Sequence, residues 1–135
     1  MRLLKTALAL AVAAVAVVVP AASAQATATP GGSLHLSWSA PGWSNQVFSV
    51  WLNCFPTGGG DESYMDADLA CTDIDSAGGD LEALPGWWFV SCGSYQGPAI
   101  RTTATGTWFG ETVSYDETHA NMCETRRATG WVFLF

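Results

Sequence analysis

The chain has 135 residues, 12 acidic against five basic, and a formal charge of −7 at pH 7 with both histidines neutral. Hydrophobic residues make up 49% of it, enough apolar material to give one domain a core. The acidic balance excludes the basic patch that nucleic acid or an anionic membrane requires, so neither is expected as a partner.

Arg2 and Lys5 precede an unbroken apolar run from Ala7 to Val19, followed by Pro20-Ala21-Ala22-Ser23-Ala24. A basic start, an apolar middle and a small-x-small ending predict a signal peptide over residues 1–24, with cleavage after Ala26 as the neighbouring alternative. The run is shorter than the ~18 to 20 residues that cross a bilayer, and export places the mature chain in the extracellular medium. Both leader charges are basic, so three arginines and no lysine remain against the 12 acids. Residues 25–32, rich in Ala, Thr, Pro and Gly, form an expected flexible lead-in to a single domain over 33–135.

Residues 33–38 alternate polar and apolar side chains with the period of a half-buried strand, and Ala40-Pro41-Gly42 breaks the pattern. Residues 46–54 are dense in β-branched and aromatic types and predict a second strand. Residues 65–77 carry Leu69, Ile74 and Ala77 as the apolar stripe of a short helix, with Asp66 and Asp68 suited to its positive end. Gly78-Gly79 ends it, and 80–84 allow one further turn before Pro85-Gly86. Residues 93–98 read as loop. Strands at 99–105 and 107–115 surround Gly106 as a hairpin, and the apolar residues 131–135 are expected to close the sheet. Strands at both ends with a helical block between them indicate an α+β domain, an antiparallel sheet covered on one face.

Four cysteines in an exported chain, Cys54, Cys71, Cys92 and Cys123, favour two disulfides in any of three pairings. No Cys-x-x-Cys pair is present, and His35 and His119 lie far apart in sequence, so neither a metal nor another cofactor is expected. Gly93-Ser94-Tyr95-Gln96-Gly97 is not the Gly-x-Ser-x-Gly elbow of a hydrolase, and no motif places a carboxylate to orient either histidine; the chain is not expected to be an enzyme.

The cysteine frame, Ala77-Gly78-Gly79-Asp80-Leu81-Glu82-Ala83-Leu84, Gly106-x-Trp108-x-Gly110, Val113-Ser114-Tyr115, Asn121-x-Cys123 and Val132-Phe133-x-Phe135 stand in the order and near-matching gaps of a known pattern. From about Leu34 to its end the chain resembles the Streptomyces subtilisin inhibitor family of secreted serine protease inhibitors. The resemblance implies a five-stranded antiparallel sheet with two short helices on one face and a homodimer formed through the sheet. It also implies disulfides joining Cys54 to Cys71 and Cys92 to Cys123. The reactive bond carried over from the family is Ser94-Tyr95, flanked by Ser91, Gly93 and Gln96, with Asn121 bracing the loop from below.

Three positions depart from the family pattern. Ser94 stands where Met, Lys or Arg is usual, and each missing buried methylene forfeits ~0.8 kcal/mol, so up to 2 to 3 kcal/mol is lost in a deep primary pocket. Gly93 replaces a usual Pro or Thr and adds backbone freedom. Ser91 occupies a site where subtilisins favour a large apolar group. The expected partner is therefore an extracellular serine protease, subtilisin-like or elastase-like with a small pocket. A non-inhibitory binding or structural member of the same fold is the alternative. Trp87-Trp88-Phe89, preceding the loop, reads equally as a contact surface or as core packing, and His119 as a packing residue in preference to a pH-sensitive contact.

Overall fold

The structure, a computed structural model, describes residues 31–57, 64 and 66–135. The expected signal peptide over residues 1–24 and most of the expected lead-in lie outside the described residues. The first strand begins one residue ahead of the expected domain start. The elements in chain order are β1 (Gly32–Ser39), β2 (Val47–Cys54), α1 (Ala67–Ser76), a 3-10 turn at Leu81–Ala83, β3 (Ile100–Trp108), β4 (Glu111–His119) and α2 (Met122–Thr129).

The sheet has four antiparallel strands in the order β2-β1-β3-β4, not the five that were expected. The difference lies at the C-terminus. Residues 131–135 do not join a ladder; Val132 N–H bonds Thr129 O at 3.2 Å and Leu134 N–H bonds Trp131 O at 3.3 Å, so the backbone turns. Its apolar side chains still reach the core, Val132 and Phe133 being buried. The Tyr64 hydroxyl donates to the carbonyls of Trp131, at 3.0 Å, and Val132, and Asp73 accepts from Trp131 N–H at 3.1 Å. Burial and the neighbouring Asp73 and Asp66 carboxylates push the Tyr64 hydroxyl far up, so it stays a donor.

The expected hairpin at Gly106 is also corrected. Strand β3 runs through Gly106, whose Cα faces Leu34 across the β1 ladder, and the turn is Phe109-Gly110, with φ of 46° and 89°. Two consecutive positive φ values are the signature of the tight turn that matches strand twist. Gly106 is there for close approach, since a Cβ would stand 2.1 Å from Ser33 O.

One face of the sheet carries Leu34, Leu36, Val50, Leu52, Ala104, Trp108, Val113 and Tyr115, all buried. Each large aliphatic side chain withdrawn this way contributes roughly 1.5 to 3 kcal/mol. Helix α1 covers this face through Ala70, Cys71 and Ile74, whereas Leu69, expected in the stripe, is 42% exposed. A five-residue step along a helix rotates a side chain by about 140°, so Leu69 and Ile74 cannot share a face. Among the described residues no element covers the opposite face of the sheet, which is mostly Ser and Thr, with His35 and Trp51 in ring contact at 5.1 Å.

Candidate functional site

Two disulfides form, Cys54–Cys71 across 17 residues and Cys92–Cys123 across 31. The first is buried between the end of β2 and α1. The second ties the irregular segment between residues 84 and 100 to the first turn of α2.

Helix α2 is the platform of this segment, and its own signals are local. Asn121 is the N-cap, accepting Glu124 N–H on Oδ1 at 3.0 Å, and Gly130 follows the last turn. Its buried Thr125 and Thr129 hydroxyls donate to the carbonyls four residues back, Asn121 O at 3.0 Å and Thr125 O at 2.8 Å. The helix can therefore turn a polar face inward without leaving a donor unmet.

The segment is held on α2 at both ends. Upstream, Trp87 N–H bonds Arg127 O at 3.0 Å, and a Cβ on Gly86 would stand 2.1 Å from that same carbonyl, so the backbones are in close contact. Downstream, Cys92 is bonded to Cys123, and Asn121 Nδ2 reaches Tyr95 O at 3.5 Å, a long hydrogen bond. Asn121 thus caps the helix and touches the loop with opposite ends of one amide.

Between these anchors Ser91, Gly93, Ser94, Tyr95 and Gln96 are all exposed. The Tyr95 ring lies over Gly97 beside the Asn121 Cβ, on the rim of a cleft of about 320 Å³ formed with Trp38, Trp43, Phe48 and Met122. No charged side chain occurs from Ala83 to Ile100. A neutral segment of this kind has no cation for the acidic primary pocket of a trypsin-like enzyme.

The Trp87-Trp88-Phe89 triplet divides between its two readings. Trp87 packs edge-on against Trp131 at 5.0 Å, while Trp88 and Phe89 point outward, 80% and 69% exposed. His119 is half-buried, with Nε2 3.2 Å from Thr102 Oγ1 and 3.4 Å from Tyr115 Oη. Desolvation lowers its pKa below the ordinary value, against the opposing pull of Glu117 and Glu124, so a neutral packed ring is favoured.

The backbone of the exposed segment is not extended throughout. Tyr95 N–H bonds Cys92 O at 2.8 Å, closing a turn around Gly93 and Ser94. Gly93 has φ of 47°, and Gln96 Nε2 donates to Ser94 O at 3.4 Å. Sequence reasoning placed Gln96 as a flank and missed that its amide reaches the Ser94 carbonyl. The resemblance implied a second helix, and α2 is present, but the residue-by-residue reading did not place it, although Asn121, Glu124 and Gly130 mark both its ends.

Among the described residues, no group of His, Cys, Asp and Glu side chains is arranged to hold a metal ion, and no helix is long and apolar enough to cross a membrane.

A family profile described as "Subtilisin inhibitor-like" matches residues 31–121. Subtilisin inhibitor-like protein 4 of Streptomyces lavendulae is 37% identical over 87 residues, covering 64% of this chain and 72% of that protein. Plasminostreptin of Streptomyces antifibrinolyticus is 38% identical over 91 residues, covering 67% and 81%. The crystal structure of Streptomyces caespitosus sermetstatin in complex with Bacillus licheniformis subtilisin contains a similarly folded chain, with a TM-score of 0.56 and 20% identity over 77% of this chain and 98% of that one. On the extent of the profile match and the identity to these proteins, the chain belongs to the subtilisin inhibitor-like family.

Proposed function

We propose that this protein is a secreted inhibitor of an extracellular serine protease, not itself an enzyme, and that it engages its target through the Ser94-Tyr95 bond. The observation that carries the reading is the mounting of one exposed, uncharged segment on α2, through Trp87 at one end and Cys92 and Asn121 at the other. Such a segment offers its backbone to a protease as an added strand and its Ser94 carbonyl to the oxyanion hole. Anchoring at both ends removes ordering entropy before binding. If the bond is cut, the Tyr95 amine remains tethered beside the acyl group at high effective concentration, which favours re-forming the peptide. The short Ser94 side chain directs the inhibitor to a small primary pocket. A homodimer through the uncovered sheet face, where Trp51 is half exposed, belongs to the same reading.

The closed turn at Cys92–Tyr95 favours a second reading, a binding or structural protein of the same fold whose loop no longer inhibits. Titrating a subtilisin, a trypsin, a chymotrypsin and an elastase with the oxidised mature protein separates the two. Stoichiometric loss of activity, largest for the small-pocket enzyme and absent for trypsin, is expected of the inhibitor. Full residual activity of all four enzymes sinks it.

A further inference from the structure

We infer that Gly93 gates the reactive segment: it folds residues 92–95 into a turn that occupies backbone groups the protease must take, so binding proceeds through an opened minor conformer. The inference rests on the inhibitory reading above and concerns how the same site is regulated.

Three observations meet at this point. The Cys92 carbonyl and Tyr95 N–H are bonded to each other at 2.8 Å, and neither is free to pair with an enzyme's strand while that bond lasts. The Ser94 carbonyl, which has to enter the oxyanion hole, is covered by the Gln96 amide at 3.4 Å. Gly93 makes the turn possible with φ of 47°, a left-handed conformation that costs glycine little and that a β-branched residue adopts only as an outlier.

A Cβ at Gly93 would meet no atom within 4 Å, so a larger residue is excluded by backbone conformation and not by space. The two ends of the segment stay fixed when the turn opens, because Cys92 is bonded to Cys123 and Ile100 is already in β3. Opening is therefore a local change over about three residues, and it sets a conformational tax: the apparent dissociation constant is the intrinsic one divided by the open fraction. A side chain at position 93 that disfavours left-handed backbone raises the open fraction and lowers that tax.

The test is Gly93→Thr, compared with the unsubstituted protein in two measurements. Amide hydrogen exchange at Tyr95 reads the turn itself in the free protein. Association and dissociation rates with an elastase and with subtilisin read its effect on binding. The expected result is measurable protection of the Tyr95 amide, lost in Gly93→Thr. With it, the association rate rises about tenfold, the scale of a left-handed backbone penalty. The dissociation rate stays within about twofold, since an opened free state acts on encounter whereas a new side-chain contact acts on escape. A Tyr95 amide that exchanges freely in a protein that inhibits overturns the gate and leaves the inhibitory reading intact. Lost protection without faster association, or a gain confined to dissociation, also overturns the gate. Failure of both proteins to inhibit either enzyme overturns the inhibitory reading and the gate with it.

Discussion

The two disulfides are alike in chemistry and opposite in setting. Cys54 and Cys71 are buried among Leu52, Ala70 and Ile74, where two regular elements would meet even without a covalent bond. Cys92 is only partly buried and belongs to a stretch with neither strand nor α-helix between Ala77 and Ile100. In the first region packing fixes the backbone and the disulfide reinforces it. In the second, a few backbone bonds, the Trp87–Trp131 contact, one amide side chain and a disulfide hold the exposed part of the segment on α2. A segment proposed to bind a protease has to remain exposed, so it cannot be positioned by burial alone, and much of its support is displaced onto the neighbouring helix.

Removing each bond in turn sharpens this contrast most. On chain entropy alone, loss of Cys54–Cys71 costs about 3 kcal/mol and loss of Cys92–Cys123 nearly 4 kcal/mol, figures that depend on the unfolded-state model. Replacing Cys54 and Cys71 by Ala is expected to lower the denaturation midpoint strongly while the protein that remains folded still inhibits. Replacing Cys92 and Cys123 by Ala is expected to turn the segment into a substrate, cut at Ser94-Tyr95 and released. Denaturant titration beside time-resolved cleavage by elastase checks both arms, and equal inhibition by the two folded variants breaks the comparison.

Asn121 offers a finer cut. Asn121→Asp keeps the oxygen that accepts Glu124 N–H and loses the donor to Tyr95 O, whereas Asn121→Ala loses both. The Ala variant is expected to lose about 1 kcal/mol of stability, the worth of a cap. The Asp variant should keep nearly all of that stability, and both should be hydrolysed faster at the reactive bond. Equal hydrolysis of Asn121→Asp and the unsubstituted protein would leave Asn121 as a helix cap alone.

The smallest expected effect is the pH response of His119. Its folded pKa is depressed, so an unfolded chain takes up a proton near pH 6.5 that the folded chain refuses. This contribution to stability is present above that pH and is lost as the pH falls through the folded pKa. His119→Phe removes it, and the fall in denaturation midpoint between pH 7 and pH 5 should be shallower in that variant. An unchanged pH dependence would place the ring outside the folding linkage.

The regular elements were legible where the pattern was periodic. Alternation at Ser33 to Trp38 and β-branched density before Cys54 identify β1 and β2, and Gly78-Gly79 stops the helix after them. Errors arose where a residue type has two uses. Gly106 reads as a turn by composition, yet it serves close strand approach, and the turn falls on Phe109-Gly110, where Gly110 carries a turn signal and Phe109 does not. The apolar tail at 131–135 reads as a strand, but its backbone bonds turn it back on itself while only the side chains enter the core. At the site, family resemblance supplied Ser94, Tyr95 and Asn121. It gave no sign of the closed turn, which follows from Gly93 and depends on a φ value that no sequence period encodes. The exposed Trp88-Phe89 pair, beside a half-buried Trp87, was undecidable because a run of three aromatics has no period.

The central claim, a tethered reactive bond at Ser94-Tyr95, is most directly tested by mass spectrometry of the oxidised protein incubated with a catalytic amount of the protease it inhibits. Cleavage there leaves the two pieces joined through Cys92–Cys123, so the mass rises by that of one water and reduction releases fragments ending at Ser94 and beginning at Tyr95. The expected result is this single nick, slow to appear, and reverting to intact protein when the purified nicked form is returned to the enzyme. Progressive digestion that begins at Trp87-Trp88 or elsewhere, with no re-formation of the bond, would contradict it.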